Sequence, residues 1–327
     1  MVPPLPPVAR NTPADFRIRF AVCEPRFSDI KTIWIGSDNQ SELFRQSRSL
    51  PTPSFFFCFA MKLSTVLSGS VLIFAPLTWA LPPRGLSNRG SKRHSNPSFR
   101  IEEADTASNS ANTTIQYSGN WSGAVLVSPP SGEIFNSAIG TFTVPSMPPA
   151  GSNGAAAAWV GIDGDTFATA ILQAGVYFSV SGDSVQYGAW YEWWPDYATD
   201  IDTDDFPVSA GDVITVNIEA TSNSEGTVTL TNESAGMNFA INLTSPTKLS
   251  YLGGQNAEWI IEDYTQNGGL VPLANWGTVT FVNASASTSA NNKLGLGDAT
   301  IFDIEQYNDI MTSVTIDSDS SVSISYA

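Results

Sequence analysis

Two stretches of this 327-residue chain put polar side chains where core-type residues dominate. AEWIIEDY (257–264) sets Glu258, Glu262 and Asp263 among Trp, Ile and Tyr. AILQAGVYF (170–178) carries Gln173 as a lone amide among apolar neighbours. What chemistry they could do is narrowed by what the chain lacks. Its only His is His94 and its only Cys are Cys23 and Cys58. A mature chain starting after residue 94 has neither type. That excludes Ser–His and Cys–His nucleophiles, zinc sites built from His or Cys, and a disulfide framework. If the chain is an enzyme, carboxylates, amides and hydroxyls must carry the reaction.

The elements that position these groups read as strands. Trp, Ile and Tyr favour extended chain, and strand side chains alternate in direction. Glu258, Ile260 and Glu262 should therefore face one way, with Trp259, Ile261 and Asp263 facing the other. Periodicity offers Glu258 and Glu262 as equals. A Gln at position 173 either faces solvent or is buried with partners at both ends of its amide. YGAWYEWWPDY (187–197) crowds Trp190, Tyr191, Trp193, Trp194 and Tyr197 together. Clustered aromatics normally mean core, yet alternation sends some of these outward as an aromatic wall for a ligand.

Further Val-, Ile-, Thr- and aromatic-rich runs are expected as strands at 121–127, 138–144, 155–162, 170–180, 185–194, 212–220, 226–232, 238–244, 276–284 and 321–326. Turn residues separate them, and no long stretch keeps a helical period. Regularly spaced short strands point to an antiparallel sandwich or barrel. Five N-x-[ST] sequons, at Asn112, Asn120, Asn232, Asn242 and Asn283, are candidate glycosylation sites. Asn242, within an expected strand, is the weaker one.

The first hundred residues differ in character. Residues 61–80, starting MKLSTVLSGSVLIFAPL and ending Thr78-Trp79-Ala80, have the basic start, apolar middle and small −3 and −1 residues of a secretory signal. The rival reading is an internal signal anchor, although Ser, Gly and Pro interrupt a run barely long enough to span. The Pro-rich residues 1–60 are either a disordered extension or untranslated, with Met61 as the start. Residues 81–110 read as a propeptide, basic and breaker-rich, with Lys92-Arg93 as a candidate dibasic cut. Residues 111–327 then form one domain, expected to be secreted and monomeric. Residues 101–327 hold two Lys, no Arg and 26 Asp and Glu, a formal −24. Such a balance suits work in acid, where carboxylates near their reference pKa values of about 3.9–4.3 lose charge. It argues against nucleic acid and anionic membrane as partners.

Four ordered motifs, NWSGAV (120–125), WVGIDGDT with TAILQAG (159–175), AWYEWWPDY (189–197) and AEWIIEDY, resemble those of the fungal glutamic peptidases, the eqolisins. The resemblance runs from about residue 115 to the C-terminus. It implies a bent antiparallel β-sandwich of two packed sheets, a concanavalin-like jelly roll. It implies an acid endopeptidase acting on proteins or peptides, with no metal or cofactor and no inhibition by pepstatin. By motif position the catalytic pair falls on Gln173 and Glu258, with Glu258 as general base and Gln173 as oxyanion donor. Trp121, Trp159, Asp163, Trp190 and Glu192 fall on cleft and supporting positions. Where some members carry a Cys this chain has Phe167, so any disulfide made there is absent. The carboxylate base should stay ionised at pH about 3–4. Asp-Thr/Ser-Gly motifs of pepsin type are absent from 101–327. Two other classes remain open on residue types alone: a jelly-roll glycoside hydrolase using Glu192 with Glu258 or Glu262, and a lectin-like binding module. Glu262 and Asp263 are expected to be hydrogen-bonded structural acids.

Overall fold

A computed structural model of the chain describes residues 92–101, 115–147 and 153–327. The 1–60 extension, the signal at 61–80, both Cys, Asn112 and the propeptide outside 92–101 lie outside the described residues. In chain order the strands are β1 (Arg93–His94), β2 (Arg100–Ile101), β3 (Ile115–Ser118), β4 (Trp121–Leu126), β5 (Phe135–Thr143), β6 (Asn153–Ile162) and β7 (Ile171–Ser181). There follow β8 (Ser184–Trp194), β9 (Thr199–Asp200), β10 (Val213–Ala220), β11 (Glu225–Asn232), β12 (Met237–Thr244), β13 (Ala257–Glu262) and β14 (Thr265–Gln266). The last are β15 (Gly269–Leu270), β16 (Thr278–Thr288), β17 (Lys293–Leu294), β18 (Thr300–Gln306), β19 (Asp309–Ile310), β20 (Thr312–Ser318) and β21 (Ser321–Tyr326). Among the described residues there is no helix.

Two sheets pack face to face. One has eight strands in the order β12-β11-β10-β5-β16-β21-β20, with β17 beside β16. The other has ten, ordered β2-β3-β18-β4-β13-β6-β7-β8-β9, with β19 beside β18. Between them lies the main core. Ala124, Ala158, Val160, Leu172, Val176 and Trp259 come from the ten-stranded sheet, and Phe142, Val216, Leu230, Phe281 and Ile324 from the other. Alternation is clean toward one edge of the eight-stranded sheet: β11 alternates throughout, and along β12 every second residue is exposed. That is how a sheet with one wet face reads.

The ten-stranded sheet breaks that pattern. β4 and β13 are buried at every position, and β6 at all but its first. Its second face therefore cannot be bare, and it carries its own apolar cluster of Trp121, Val125, Trp159, Ile171, Trp190, Ile260 and Phe302. AEWIIEDY mixes acids with core residues because both faces of β13 are covered. Ile260 sits on the second face, while Trp259 and Ile261 are in the inter-sheet core, as alternation requires.

All the expected strands form, with ends shifted by a few residues. Ten were not expected: β18, which lies between β3 and β4, and β20, each seven residues long, with the shorter β1, β2, β3, β9, β14, β15, β17 and β19. Among the described residues the named strands pair antiparallel with one exception, β18 running parallel to β3 from Ile301↔Ile115 to Ile304↔Ser118, and an isolated parallel bridge joins Ala155 to Leu273.

Candidate functional site

The register aligns the reactive residues in one row across the second face. Glu192 on β8 is opposite Gln173 on β7, Gln173 is opposite Gly161 on β6, and Gly161 is opposite Glu258 on β13. Cross-strand partners point to the same side, so Glu192, Gln173 and Glu258 share a face with Gly161 between the last two. Two strand spacings, about 9–10 Å, separate the backbones of Gln173 and Glu258. The space between them exists because residue 161 has no side chain. A Cβ there would lie 2.8 Å from Glu258 Oε1 and 2.7 Å from Trp159 Cζ3. Gly161→Ala is thus expected to cost about 1–3 kcal/mol through overpacking, measurable as a fall in the thermal unfolding midpoint.

The three polar members of the row, and Glu262 further along β13 on the same face, are fully or almost fully buried: Gln173, Glu258 and Glu262 at 0 % exposure and Glu192 at 1 %. Trp159 Nε1 donates to Glu262 Oε2 at 3.0 Å, not to Glu258. Asp163 does not reach Glu258 by a hydrogen bond either. Held at a positive φ of 69°, its carboxylate accepts from the backbone N–H groups of Gly253, Gly254, Gln255 and Asn256 at 2.7–3.3 Å. Those residues run directly into β13, so Asp163 ties the end of β6 to the start of the strand bearing Glu258. Asn256 makes the reciprocal knot, its Oδ1 accepting from Asp165 and Thr166 N–H and its Nδ2 donating to the Val127 carbonyl. Nothing in the sequence marked Asn256 as important. Neither carboxylate oxygen of Glu258, nor Gln173 Oε1, has a hydrogen-bond partner among the described residues.

What covers this face is the chain's own segment 92–101. The Ser95 carbonyl accepts from Gln173 Nε2 at 3.1 Å, and Ser95 N–H donates to Glu192 Oε2 at 3.1 Å. Asn96 N–H donates to Glu262 Oε1 at 2.8 Å, and the Asn96 carbonyl accepts from Trp121 Nε1 at 2.9 Å. Ser95 Oγ also bonds Glu262 Oε2, and His94 Nδ1 lies 3.2 Å from Glu192 Oε1. The Arg93 guanidinium pairs with Asp200 at 2.6 Å and lies over the rings of Tyr177 and Trp190, 4.5 and 4.9 Å from their centroids. Arg100 pairs with Asp165 through both carboxylate oxygens. Upstream, a cavity of about 440 Å³ continues from Arg93 along Tyr177, Asp200, Tyr264 and Gln266.

This geometry has counterparts. The peptidase A4 family model matches residues 119–326. The chain belongs to the peptidase A4 family. Aspergillopepsin-2 of Aspergillus niger is 40 % identical over 292 residues, covering 81 % of this chain and all of the relative. Scytalidopepsin B of Scytalidium lignicola is 34 % identical over 273 residues, with the same coverage. A crystal structure of scytalido-glutamic peptidase with a transition-state analogue inhibitor superposes with a TM-score of 0.57 at 34 % identity, covering 64 % of this chain and 98 % of that one. Aspergilloglutamic peptidase from Aspergillus niger gives a TM-score of 0.50 at 44 % identity, covering 53 % and 99 %. These solved neighbours are glutamic peptidases, and the two-sheet sandwich is the fold of an A4 peptidase.

The electrostatics of this A4 peptidase are dominated by buried acids. Desolvation, and then the charges of Asp163 and Asp165, push Glu258 well above the ordinary glutamate range. That departs from the expectation of a base ionised at pH 3–4, and follows from the full burial of Glu258. Glu192 is also pushed well up by burial, opposed by the Ser95 N–H and Arg93. Burial lifts Glu262 to about 8 and Asp263 to about 7. Asp163 and Asp303 rise to about 6 for the same reason, against their hydrogen-bond donors. Each of these acids binds its proton more tightly folded than unfolded. Their contribution to stability is therefore full below pH about 4 and is lost as pH rises through about 6 to 8. At about 1.4 kcal/mol per tenfold change in proton affinity and about 2–4 °C per kcal/mol for a domain this size, Tm is expected to fall by about 10 °C or more between pH 4 and 8. Differential scanning calorimetry across that range checks the sign, and a Tm that rises with pH contradicts it.

Among the described residues, no group of three or more His, Cys, Asp and Glu is placed to hold a metal ion. The sequons sort by burial. Asn120 and Asn232 are fully buried, and their side-chain amides are committed to Pro97 and to Pro207 and Asp212. Asn242 and Asn283 are exposed.

Proposed function

We propose that this chain is a secreted acid endopeptidase in which Gln173 and Glu258 act as a pair on the peptide bond. The observation that carries the reading is the Ser95 carbonyl resting on Gln173 Nε2 in the row shared with Glu258. A peptide carbonyl already occupies the place where an oxyanion donor would hold a scissile one. Glu258, once ionised, takes a proton from water, and the water oxygen adds to the carbonyl carbon. The Gln173 side-chain N–H donates to the oxygen as it gains charge. Glu258 then passes the proton to the leaving nitrogen, the C–N bond breaks, and an acid and an amine leave. Asp163 and Asn256 hold the strand bearing Glu258, and Trp121, Trp159, Trp190 and Glu192 shape the cleft around the pair. A carboxylate is a sound base in acid, where an imidazole would be locked as its cation.

Residues 61–80 are in this reading a secretory signal and 81–110 a propeptide, leaving 111–327 as a monomeric peptidase domain. The described part of the propeptide, 92–101, supports this by lying across the cleft. It occupies Gln173 in the row shared with Glu258, whose carboxyl burial pushes well above the ordinary glutamate range, so the covered site is silent. Departure of the segment rehydrates Glu258 and returns it toward the ordinary carboxylate range.

The test uses the full chain, secreted from a host and brought to pH about 3.5, a pH set by the carboxylate reference range. It is incubated with denatured casein, with and without pepstatin, and with β-glucan in parallel. Cleavage of casein that survives pepstatin is expected. Cleavage of glucan alone, or binding to either without turnover, sinks the reading.

A further inference from the structure

We infer that Glu262, together with Glu192 and Trp121, reads the main chain of the substrate on either side of the bond being cut, with Glu262 taking the N–H of the scissile amide itself. The inference rests on the peptidase reading, with the chain's own residues 95 and 96 standing in for substrate. It begins with a problem in hydrogen bonding. A peptide that pairs with a sheet edge has its N–H and C=O groups met by free backbone partners. A peptide lying across the face of a sheet meets none, because those groups are already paired within the sheet. Its polar groups have to be met by side chains, or they leave water unpaired.

In this cleft four consecutive main-chain groups are met by four different side chains. Ser95 N–H goes to Glu192, the Ser95 carbonyl to Gln173, Asn96 N–H to Glu262 and the Asn96 carbonyl to Trp121, all between 2.8 and 3.1 Å. Acids meet the N–H groups, and side-chain N–H donors meet the carbonyls. With Gln173 as oxyanion donor, the Ser95–Asn96 amide sits in the scissile position, so the nitrogen held by Glu262 is the leaving nitrogen. Trp159 Nε1 fixes the other oxygen of Glu262, and full burial leaves that carboxyl little freedom to turn. Glu262 is thereby a substrate-contacting residue that orients the plane of the amide, and is not merely a structural acid. Since each of the four contacts is to backbone, the grip does not depend on the side chains flanking the bond.

The test exploits the one atom at issue. A casein-derived peptide cut by the protein at a single bond is compared with the depsipeptide of the same sequence, in which an ester oxygen replaces the scissile N–H. The full chain, activated in acid, is assayed on both, as are Glu262→Leu and Glu262→Gln. Losing that hydrogen bond should raise the ester-to-amide ratio of kcat/KM by about tenfold or more in Glu262→Leu, whereas Glu262→Gln, whose amide oxygen can still accept the N–H, should keep a ratio closer to the parent's. A merely structural role lowers both substrates together, and an unchanged ratio in Glu262→Leu overturns the inference. Should neither variant accumulate, the unaltered protein decides. Methylating the N–H on the acyl side of the bond, which Glu192 would accept, is expected to lower kcat/KM by about tenfold or more; no loss would count against the proposed register. If the unaltered protein cleaves neither peptide nor ester, the peptidase reading itself falls. If it cleaves both and the ratio holds, only the role of Glu262 falls.

Discussion

Glu258→Gln is expected to lower kcat/KM on a peptide substrate at pH about 3.5 by about 10⁴-fold, the upper end of what a general acid–base group contributes. The upper end applies because one carboxylate both takes the proton from water and returns it to the leaving nitrogen. An amide can do neither, while its shape is nearly that of the acid. The substitution should not damage the fold. Glu258 is fully buried and neither of its oxygens has a partner among the described residues, so no hydrogen bond is lost. Above pH about 5 the variant should be slightly more stable than the parent, because a carboxyl that resists ionisation is replaced by a group that cannot ionise. Turnover and thermal unfolding on the same preparation separate loss of the base from loss of structure. Near-normal turnover would remove Glu258 from the mechanism and return Glu262 as the candidate.

Gln173→Ala is the second large effect, expected at about 10²–10³-fold in kcat, the usual cost of one oxyanion donor. The loss should fall on kcat more than on KM, because the interaction strengthens as the carbonyl oxygen gains charge. Gln173 Oε1 has no partner among the described residues, so the amide contributes through its N–H side, and the variant is expected to fold. Equal losses in kcat and in substrate affinity would point to a binding role instead.

The strand pattern was legible because burial in a sheet has a period of two. That period also placed Glu258 and Glu262 on one face and Trp259 and Ile261 on the other. What it could not do was choose between the two acids, which lie two same-face rows apart with Ile260 between them. The difference lies in what stands opposite: Gly161 beside Glu258, Ala157 beside Glu262. Choosing required either the family motif or the register of a strand about a hundred residues away. β18 escaped notice because Asp303 and Glu305 interrupt its apolar residues, and its parallel pairing with β3 joins segments far apart in sequence. Asp163 and Asn256 belong to loops, and their partners lie some ninety residues distant. No local pattern announces that a carboxylate will collect four backbone donors. Segment 92–101 reads as polar and breaker-rich, which says how easily it could be removed but not where it rests. Its place is set by Arg93 meeting Asp200 on β9 and Arg100 meeting Asp165 in the loop after β6, and by backbone contacts indifferent to residue type.

The central claim is that Gln173 and Glu258 act on one bond as a single device. The kcat/KM of the Gln173→Ala, Glu258→Gln double variant tests it most directly, measured beside both single variants on one peptide at pH about 3.5. Members of one catalytic unit are not additive. The double variant is therefore expected to be nearly as active as Glu258→Gln alone, within about threefold by the ordinary scatter of such cycles. A further fall of about 10²–10³-fold, the full separate effect of the Gln, would mean that the two side chains act independently and would contradict the account.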